Sequence, residues 1–296
     1  MPQMLPLADW PLAERQRITG VFTDIDDTLT TAGEITGDTL AALQDLKRAG
    51  IPVIAITGRA TGWCLPKMRE WPVEAMGAEG GAVLLVPPIP GGDGAPRKRY
   101  IQDAPTRARQ KARLRAVAEQ VLREVPGVRI AAGAEGRETD IAFDHREFAN
   151  LSERQLAQVK QLLLDAGLTV AVSSIHIHGR VDAHDKFTGA CWILRTLYGR
   201  DLALERDRWA FVGDSANDEA MFLALASTSI GVANVREAAD GLQHWPRFVT
   251  VGERGAGFAE VARALIASRA PARSPDSQSG DLLRVPQDSP ASRLPE

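Results

Sequence analysis

The same secondary-structure pattern occurs near both ends of the chain, and it restricts the fold more than any other sequence feature. In the first part, a strand over residues 18–22, an amphipathic helix over 38–49 and an apolar strand over 51–56 follow one another. The helix carries leucines three residues apart, and Gly50 follows it as a stop signal. This order forms a βαβ unit, which predicts a parallel sheet covered on both faces.

The late part of the chain repeats the pattern. A helix over 185–197 precedes a strand over 209–212, a helix over 219–226 and a strand over 229–232. Since consecutive units of this kind extend one sheet, the two ends of the chain are predicted to build a single doubly wound, Rossmann-like α/β core.

The middle of the chain has a different order of elements, and it predicts an inserted domain. Two helical stretches occur there with four short strand-like segments, behind a loop rich in Gly and Pro. We therefore predict a core over residues 1–85 and 181–268, an inserted α+β cap over residues 86–180 and a disordered tail over residues 269–296. The tail prediction depends on proline and serine content and on few large apolar residues.

Composition and charge exclude several classes of protein. The 296 residues include 35 lysines and arginines against 38 aspartates and glutamates, a balance that does not predict a nucleic-acid-binding face. Apolar runs are too short for a membrane span, and the N-terminus does not resemble a signal peptide. Cys64 and Cys191 are too few for a disulfide framework or a cysteine zinc site. We expect a cytoplasmic protein without nucleic-acid or membrane partners, and its oligomeric state stays open.

Two apolar strands each end in a group of carboxylates. Asp24 and Asp26 follow the first strand, and Asp214 and Asp218 follow the strand over 209–212. Open α/β sheets bind ligands at the carboxyl ends of their strands, and carboxylate oxygens are the ligands that Mg²⁺ prefers. Taken singly, either group also fits an acidic turn or a helix start rich in capping residues.

Two further segments supply groups that can hold a phosphoryl anion. Thr57, Gly58 and Arg59 follow the strand over 51–56, where a hydroxyl and a free backbone N–H can form an oxyanion cradle. Lys186 begins a predicted helix. Taken alone, these are a plain turn and a solvated lysine. With the carboxylates they provide a nucleophile, an acid/base group, a cation and metal ligands, which are the parts needed for phosphoryl transfer through an aspartyl-phosphate.

In these four segments the sequence resembles the haloacid dehalogenase-like phosphohydrolase superfamily. The DxDxT motif matches residues 24–28, the motif threonine matches Thr57, the motif lysine matches Lys186 and the GDxxND motif matches residues 213–218. All four occur in the family's order. The insertion between Thr57 and Lys186 resembles the cap of class IIB, the Cof-type group that includes sucrose-phosphatase-like enzymes.

The resemblance implies a Mg²⁺-dependent phosphatase in which Asp24 is the nucleophile and Asp26 is the general acid and base. It also implies that the substrate is a small phosphorylated metabolite, with sugar phosphates favoured by the subgroup. The residues implied to hold Mg²⁺ are Asp24, Asp26 (through its backbone carbonyl), Asp214 and Asp218, and Thr57 and Lys186 are implied to hold the phosphoryl oxygens. From the turn that follows the strand over 51–56, we predict that Gly58 and Arg59 contact the substrate as well.

Three side chains near the end of the predicted cap suggest a further role. His176 and His178 lie on one face of a strand, and Arg180 follows them. We predict that His178 and Arg180 contact the substrate. Zinc binding by the two histidines lacks an adjacent third ligand, and a purely structural role stays open.

Two alternative functions stay open as well. A phosphomutase on the same fold would transfer the phosphate to a second hydroxyl, and a non-catalytic binding protein would retain the fold without turnover. The complete set of Asp24, Asp26, Lys186 and Asp214 argues against the second alternative, because a binding protein has no need for both acids.

Overall fold

The structure, a computed structural model, describes residues 4–88, 91, 94–182, 184–238 and 242–269. Besides short 3₁₀ turns, these residues form strands and α-helices that we number in chain order. The strands are β1 (Leu5–Pro6), β2 (Gly20–Thr23), β3 (Thr30–Thr31), β4 (Glu34–Ile35), β5 (Val53–Ile56), β6 (Ala75–Ala78), β7 (Val83–Val86), β8 (Arg97–Tyr100), β9 (Arg129–Ile130), β10 (Asp140–Asp144), β11 (Thr169–Val172), β12 (His176–Arg180), β13 (Trp209–Gly213), β14 (Ser229–Gly231) and β15 (Phe248–Val249). The helices are α1 (Leu12–Arg17), α2 (Gly37–Arg48), α3 (Thr61–Glu70), α4 (Ala104–Glu124), α5 (Glu153–Asp165), α6 (Lys186–Tyr198), α7 (Glu219–Ala224) and α8 (Arg254–Ala267).

A large sheet carries nine strands in the order β1-β15-β14-β13-β2-β5-β6-β7-β8. The pairings from β1 to β6 are parallel, and β7 and β8 are added in antiparallel fashion. Every residue of β2, β5 and β13 is buried, as expected for parallel strands covered on both faces. This arrangement confirms the predicted doubly wound α/β core.

Side chains of the central strands alternate between two apolar layers. Val21 of β2 and Val53 of β5 belong to one layer, together with apolar residues of α2 and α8. Phe22 and Ile54 belong to the other layer, with apolar residues of α6 and α7. Neighbouring side chains of an extended chain lie on opposite faces, so one continuous apolar run supplies both layers.

The inserted segment forms a second, antiparallel sheet in the order β11-β12-β10-β9. An apolar cluster separate from the two core layers joins this sheet to α4 and α5; it includes Leu114, Val121, Phe143, Leu163 and Ile177. Helices packed on an antiparallel sheet are the α+β arrangement that the sequence predicts for this segment.

The limits of the cap need one adjustment. β8 lies within the predicted cap range of 86–180, yet it pairs with β7 of the large sheet, with Val83 opposite Tyr100. We therefore propose that the cap begins after Tyr100. The predicted tail over 269–296 lies outside the described residues, apart from Arg269. Within the described ranges, no helix is both long and apolar enough to cross a membrane.

The inserted segment is held against the large sheet by a buried carboxylate. Glu79, which follows β6, accepts hydrogen bonds from the backbone N–H groups of Thr61, Glu138 and Thr139, and from the hydroxyls of Thr61 and Thr139. Burial, followed by the nearby carboxylate of Asp140, raises the pKa of Glu79. The start of α3 and the chain entering β10 are thus fixed to one side chain.

Candidate active site

Three neighbouring strand ends bring the predicted functional groups together. β2 lies between β13 and β5, so the segments that follow these strands meet at one edge of the sheet. Asp24 follows β2, Asp214 follows β13 and Thr57 follows β5. The backbone N–H of Asp24 donates to the carbonyl of Val212 at 2.9 Å. The pairing of β2 with β13 therefore continues up to the residue predicted as nucleophile, which restricts its backbone.

Asp24, Asp214 and Asp218 form a buried carboxylate cluster. One oxygen of each lies within 4.8 Å of the others, and their exposed fractions are 3%, 4% and 0%. Burial and the neighbouring carboxylates raise the pKa of Asp24 to about 7 and that of Asp214 well above its ordinary value. Carboxylates this close repel each other unless a cation lies between them, and an all-oxygen donor set suits a hard ion. The residues therefore fit the Mg²⁺ that the resemblance implies.

Lys186 brings a cation to this cluster from the first position of α6. Its Nζ donates to Asp24 Oδ1 and to Asp218 Oδ1, each at 2.6 Å, and the side chain is buried. Burial alone would lower the pKa of Lys186, but the carboxylates of Asp218 and Asp24 raise it above its ordinary value. The lysine therefore stays charged beside the predicted nucleophile.

Asp218 is engaged on both of its oxygens. While Oδ1 accepts from Lys186, Oδ2 accepts from the backbone N–H groups of Asp214 and Ser215 at 3.0 and 3.1 Å. Its position in the cluster thus orients the lysine and the turn after β13. Asp214 has a freer carboxylate, which accepts one hydrogen bond from the Thr28 hydroxyl at 3.1 Å and another from the Asn234 side-chain amide at 3.4 Å.

The side chain of Asp26 lies next to the cluster and is held by Arg59. Arg59 Nε donates to both carboxylate oxygens of Asp26, at 2.9 and 3.0 Å, and its Nη1 donates to Glu147 Oε1 at 2.6 Å. The guanidinium also lies over the ring of Trp63, 4.8 Å from its centroid. The sequence predicts Arg59 as a substrate ligand, whereas in the structure its guanidinium binds two carboxylates, one of them on the cap.

Thr57 and Gly58 form the turn after β5. Thr57 is buried, and its hydroxyl oxygen accepts from the backbone N–H of Arg59 at 3.0 Å. Gly58 lies directly under the ring of His178. A Cβ atom at this position would be only 2.7 Å from the ring atoms Cε1 and Nε2. A glycine here allows the cap strand β12 to approach the turn that carries the predicted phosphoryl-binding hydroxyl.

His178 and Arg180, predicted to contact the substrate, lie in a buried polar cluster between the cap and the core. His178 Nδ1 faces Asp140 Oδ2 at 3.3 Å, and Arg180 Nη1 donates to the carbonyl of His184 at 2.9 Å. Burial lowers the pKa of His178 to about 3, so the ring is neutral near pH 7. His178 Nε2 has no hydrogen-bond partner among the described residues. His178 therefore lies beside Gly58. Arg180 is bonded to the backbone of the segment that leads from the cap back to the core.

The two histidines on β12 are not arranged as a metal site. His176 Nε2 bonds Glu147 Oε2 at 2.8 Å, while His178 faces Asp140. In the part of the chain that the structure describes, three potential metal ligands come close together in the carboxylate cluster of Asp24, Asp214 and Asp218.

Two cavities open between the core and the cap beside these groups. The first has a volume of about 480 Å³, and its lining includes Asp26, Arg59, Trp63, Arg146, Glu147 and Phe148. The second has a volume of about 270 Å³, and its lining includes Asp27, Arg146, Ile175, Asp214, Asn234 and Arg254. Glu147, Arg146 and Phe148 come from the cap loop after β10, for which the sequence offers no motif. Their role could be recognised only by their position over the strand ends.

Comparisons with known proteins agree with this fold. The family model of haloacid dehalogenase-like hydrolases matches residues 21–86, which include the first two motif segments. No curated protein matches the chain in sequence.

Among solved structures, three illustrate the likeness. Protein 0175 of Thermoplasma acidophilum has 16% identity and a TM-score of 0.62, over 84% of this chain and 98% of that one. Sucrose-phosphatase of Synechocystis, determined with sucrose and phosphate, has 14% identity and a TM-score of 0.57, over 84% and 98%. Trehalose-6-phosphate phosphatase of Aspergillus fumigatus has 18% identity and a TM-score of 0.53, over 90% and 100%. At these identities the likeness concerns the fold. The chain thus shares the fold of these phosphatases, and its segment 21–86 is similar to the haloacid dehalogenase-like hydrolases.

Proposed function

We propose that the protein is a Mg²⁺-dependent phosphomonoesterase that hydrolyses a small phosphorylated metabolite, with sugar phosphates as the favoured class. The observation that carries the proposal is the contact of Lys186 with the strand-end carboxylate of Asp24, at 2.6 Å, within a buried acidic cluster. A carboxylate nucleophile, a buried cation and a metal-compatible donor set are the parts that phosphoryl transfer needs. The sucrose- and trehalose-phosphate phosphatases of similar fold support a sugar phosphate as substrate.

The proposed reaction has two displacements at phosphorus. In the first, a carboxylate oxygen of Asp24 forms a bond to phosphorus while the bond to the leaving oxygen breaks, and Asp26 gives its proton to that oxygen. In the second, water attacks phosphorus, Asp26 takes a proton from the water, and the bond to Asp24 breaks. The products are the alcohol and inorganic phosphate, and both aspartates return to their starting states.

Phosphate-monoester hydrolysis without a catalyst is among the slowest known reactions, which explains why several charged groups would act together. We propose that Thr57 and Lys186 hold phosphoryl oxygens and that Asp218 positions Lys186. Asp24, Asp214 and the backbone carbonyl of Asp26 would hold Mg²⁺, which when bound supplies positive charge next to the transferred group.

Contacts between the core and the cap complete the site in this proposal. The guanidinium of Arg59 joins the carboxylate of Asp26 in the core to that of Glu147 in the cap. The cap also covers the strand ends, which limits the access of water and leaves a cavity of about 480 Å³ for the alcohol part of the substrate.

The test is phosphate release from p-nitrophenyl phosphate with Mg²⁺, comparing wild type with Asp24→Asn. The variant keeps the size of the side chain but removes the nucleophilic oxygen, so we expect a loss of more than about a thousandfold in kcat. Asp45→Asn is the matched control, because Asp45 is a half-exposed residue of α2 whose ion pair is with Arg48. Undiminished turnover by Asp24→Asn would refute the mechanism, whereas phosphate transfer to a second hydroxyl with little release would indicate a phosphomutase.

A further inference from the structure

The cations around the cleft differ in whether their charge is already neutralised. Lys186 contacts two carboxylates of the buried cluster, and Arg59 contacts Asp26 and Glu147. Arg254, which lines the second cavity together with Asp27, forms ion pairs with Asp27 and Glu253. Arg146, by contrast, makes no side-chain hydrogen bond or ion pair within the described residues, although it lines both cavities.

Arg146 is also carried by a loop whose backbone is fixed. The carboxylate of Asp144 accepts hydrogen bonds from the backbone N–H groups of Glu147 and Phe148, both at 2.8 Å. The backbone N–H of Arg146 donates to the carbonyl of Ile175 at 3.2 Å. A charged side chain on a loop held in this way loses less entropy when it binds a ligand, because its backbone is already ordered.

The surroundings of Arg146 restrict what it can recognise. Phe148 of the same loop lines the first cavity with 71% of its surface exposed, and Ile175 lines both cavities. Glu34 and Glu237, which line one cavity each, are exposed acids without hydrogen bonds or ion pairs in the described part of the chain. An anionic group on the leaving alcohol would therefore be repelled by these acids and attracted at one position, the guanidinium of Arg146.

We propose that Arg146 is a specificity residue that binds a second anionic group, a carboxylate or a phosphate, on the alcohol part of the substrate. This rests on the proposed phosphatase function and narrows its substrate class to phosphoesters whose leaving group is itself negatively charged. The guanidinium offers a planar pair of donors to two oxygens of that group, while Lys186 and Thr57 hold the phosphoryl group that is transferred.

The test uses pairs of substrates that differ by one anionic group. Phenyl phosphate is compared with carboxyphenyl phosphate, and a hexose phosphate with the corresponding hexonate phosphate and with a hexose bisphosphate. In the wild type we expect kcat/KM to be higher for the substrate with the extra anionic group, by about tenfold in at least the aryl pair. A roughly tenfold ratio is what one hydrogen bond to a charged group typically contributes. The hexonate and bisphosphate arms distinguish a carboxylate from a phosphate as the group bound.

The variants are Arg146→Gln, which removes the charge, and Arg146→Lys, which keeps it without the planar pair of donors. We expect Arg146→Gln to abolish the preference while changing kcat/KM for phenyl phosphate by less than about threefold, and Arg146→Lys to give an intermediate preference. Arg129→Gln is the matched control, because Arg129 is an exposed cap arginine outside the linings of both cavities.

A wild type without preference in either pair overturns the inference, and so does an equal loss on both members of a pair in Arg146→Gln. The second result would mean that the arginine binds the transferred phosphoryl group. Failure of the proposed function is recognised separately, because Asp24→Asn would then retain turnover of phenyl phosphate.

Discussion

The buried carboxylate of Glu79 allows a quantitative test of how the cap is attached to the core. Replacing it by alanine removes the acceptor of three backbone N–H groups, those of Thr61, Glu138 and Thr139. It also removes the acceptor of two hydroxyls, but these can rotate towards other partners. Thr61 and Thr139 are themselves buried, so water has little access to their N–H groups.

The expected loss of stability follows from those orphaned donors. Each buried N–H left without an acceptor costs about 1–3 kcal/mol, so the buried N–H groups of Thr61 and Thr139 together give roughly 2–6 kcal/mol. Part of this is offset because a carboxylate no longer has to be buried; its raised pKa shows that burial disfavours the charged form. We therefore expect Glu79→Ala to lower the free energy of unfolding by about 2–4 kcal/mol, a large part of the 5–15 kcal/mol typical of folded proteins.

Urea unfolding followed by circular dichroism measures this loss. Glu79→Gln keeps one acceptor oxygen and should lie between the wild type and Glu79→Ala. The control is Glu135→Ala, an exposed acid of the cap without hydrogen bonds or ion pairs in the described residues, which should change stability by less than about 0.5 kcal/mol. A loss below about 1 kcal/mol for Glu79→Ala would show that the orphaned N–H groups find other acceptors, and would refute the reasoning.

Other predictions concern close packing, pH and metal. Gly20→Ala should lower the thermal midpoint, because its Cβ would lie 2.3 Å from the ring of Trp209; overpacking of this kind costs about 1–3 kcal/mol, and an unchanged midpoint would contradict the packing. Gly58→Ala should reduce kcat on p-nitrophenyl phosphate, since its Cβ would meet the ring of His178 at 2.7 Å and displace the turn; unaltered kcat would argue against that contact. Burial by itself would raise the pKa of Glu147, but hydrogen bonds from His176 and Arg59 outweigh it and lower the pKa to about 2 from an ordinary 4.5. The stabilisation by Glu147 is therefore complete above pH 4.5 and lost as pH falls towards 2. Urea unfolding between pH 2 and 7 should show the difference between wild type and Glu147→Gln shrinking over that interval, and a constant difference would disagree. Removal of divalent metal by a chelator should abolish phosphatase activity and added Mg²⁺ should restore it, which phosphate release measures directly.

Elements with a clear periodic pattern could be predicted to within a few residues. The amphipathic run predicted over 38–49 is α2, Gly37–Arg48, and the apolar run predicted over 51–56 contains β5, Val53–Ile56. In contrast, the sequence pattern does not assign α3 and α8. α3 contains Pro66 and α8 has glycines near its start, and both features weaken the sequence signal for a helix.

The candidate site likewise contains residues that the sequence predicts and partners that it does not. The sequence predicts the carboxylates, Thr57 and Lys186, and the structure brings them to one edge of the sheet. The partners that control these groups could not be predicted, since no local pattern marks Glu147 as the residue that binds Arg59, or Arg146 as a cation of the cleft. The sequence predicts that Arg59 contacts the substrate, whereas its pairing with Asp26 is visible only in three dimensions.

By itself, the sequence determined which chemical groups stand at the ends of the strands, because apolar runs form parallel strands and the residues after them must lie at one edge. Only the tertiary structure decided which charges neutralise one another. Lys186 and Asp24 are 162 positions apart, and Arg59 and Glu147 are 88 positions apart. Ion pairs depend on distance in space and on burial, and neither quantity is encoded in the spacing of residues along the chain.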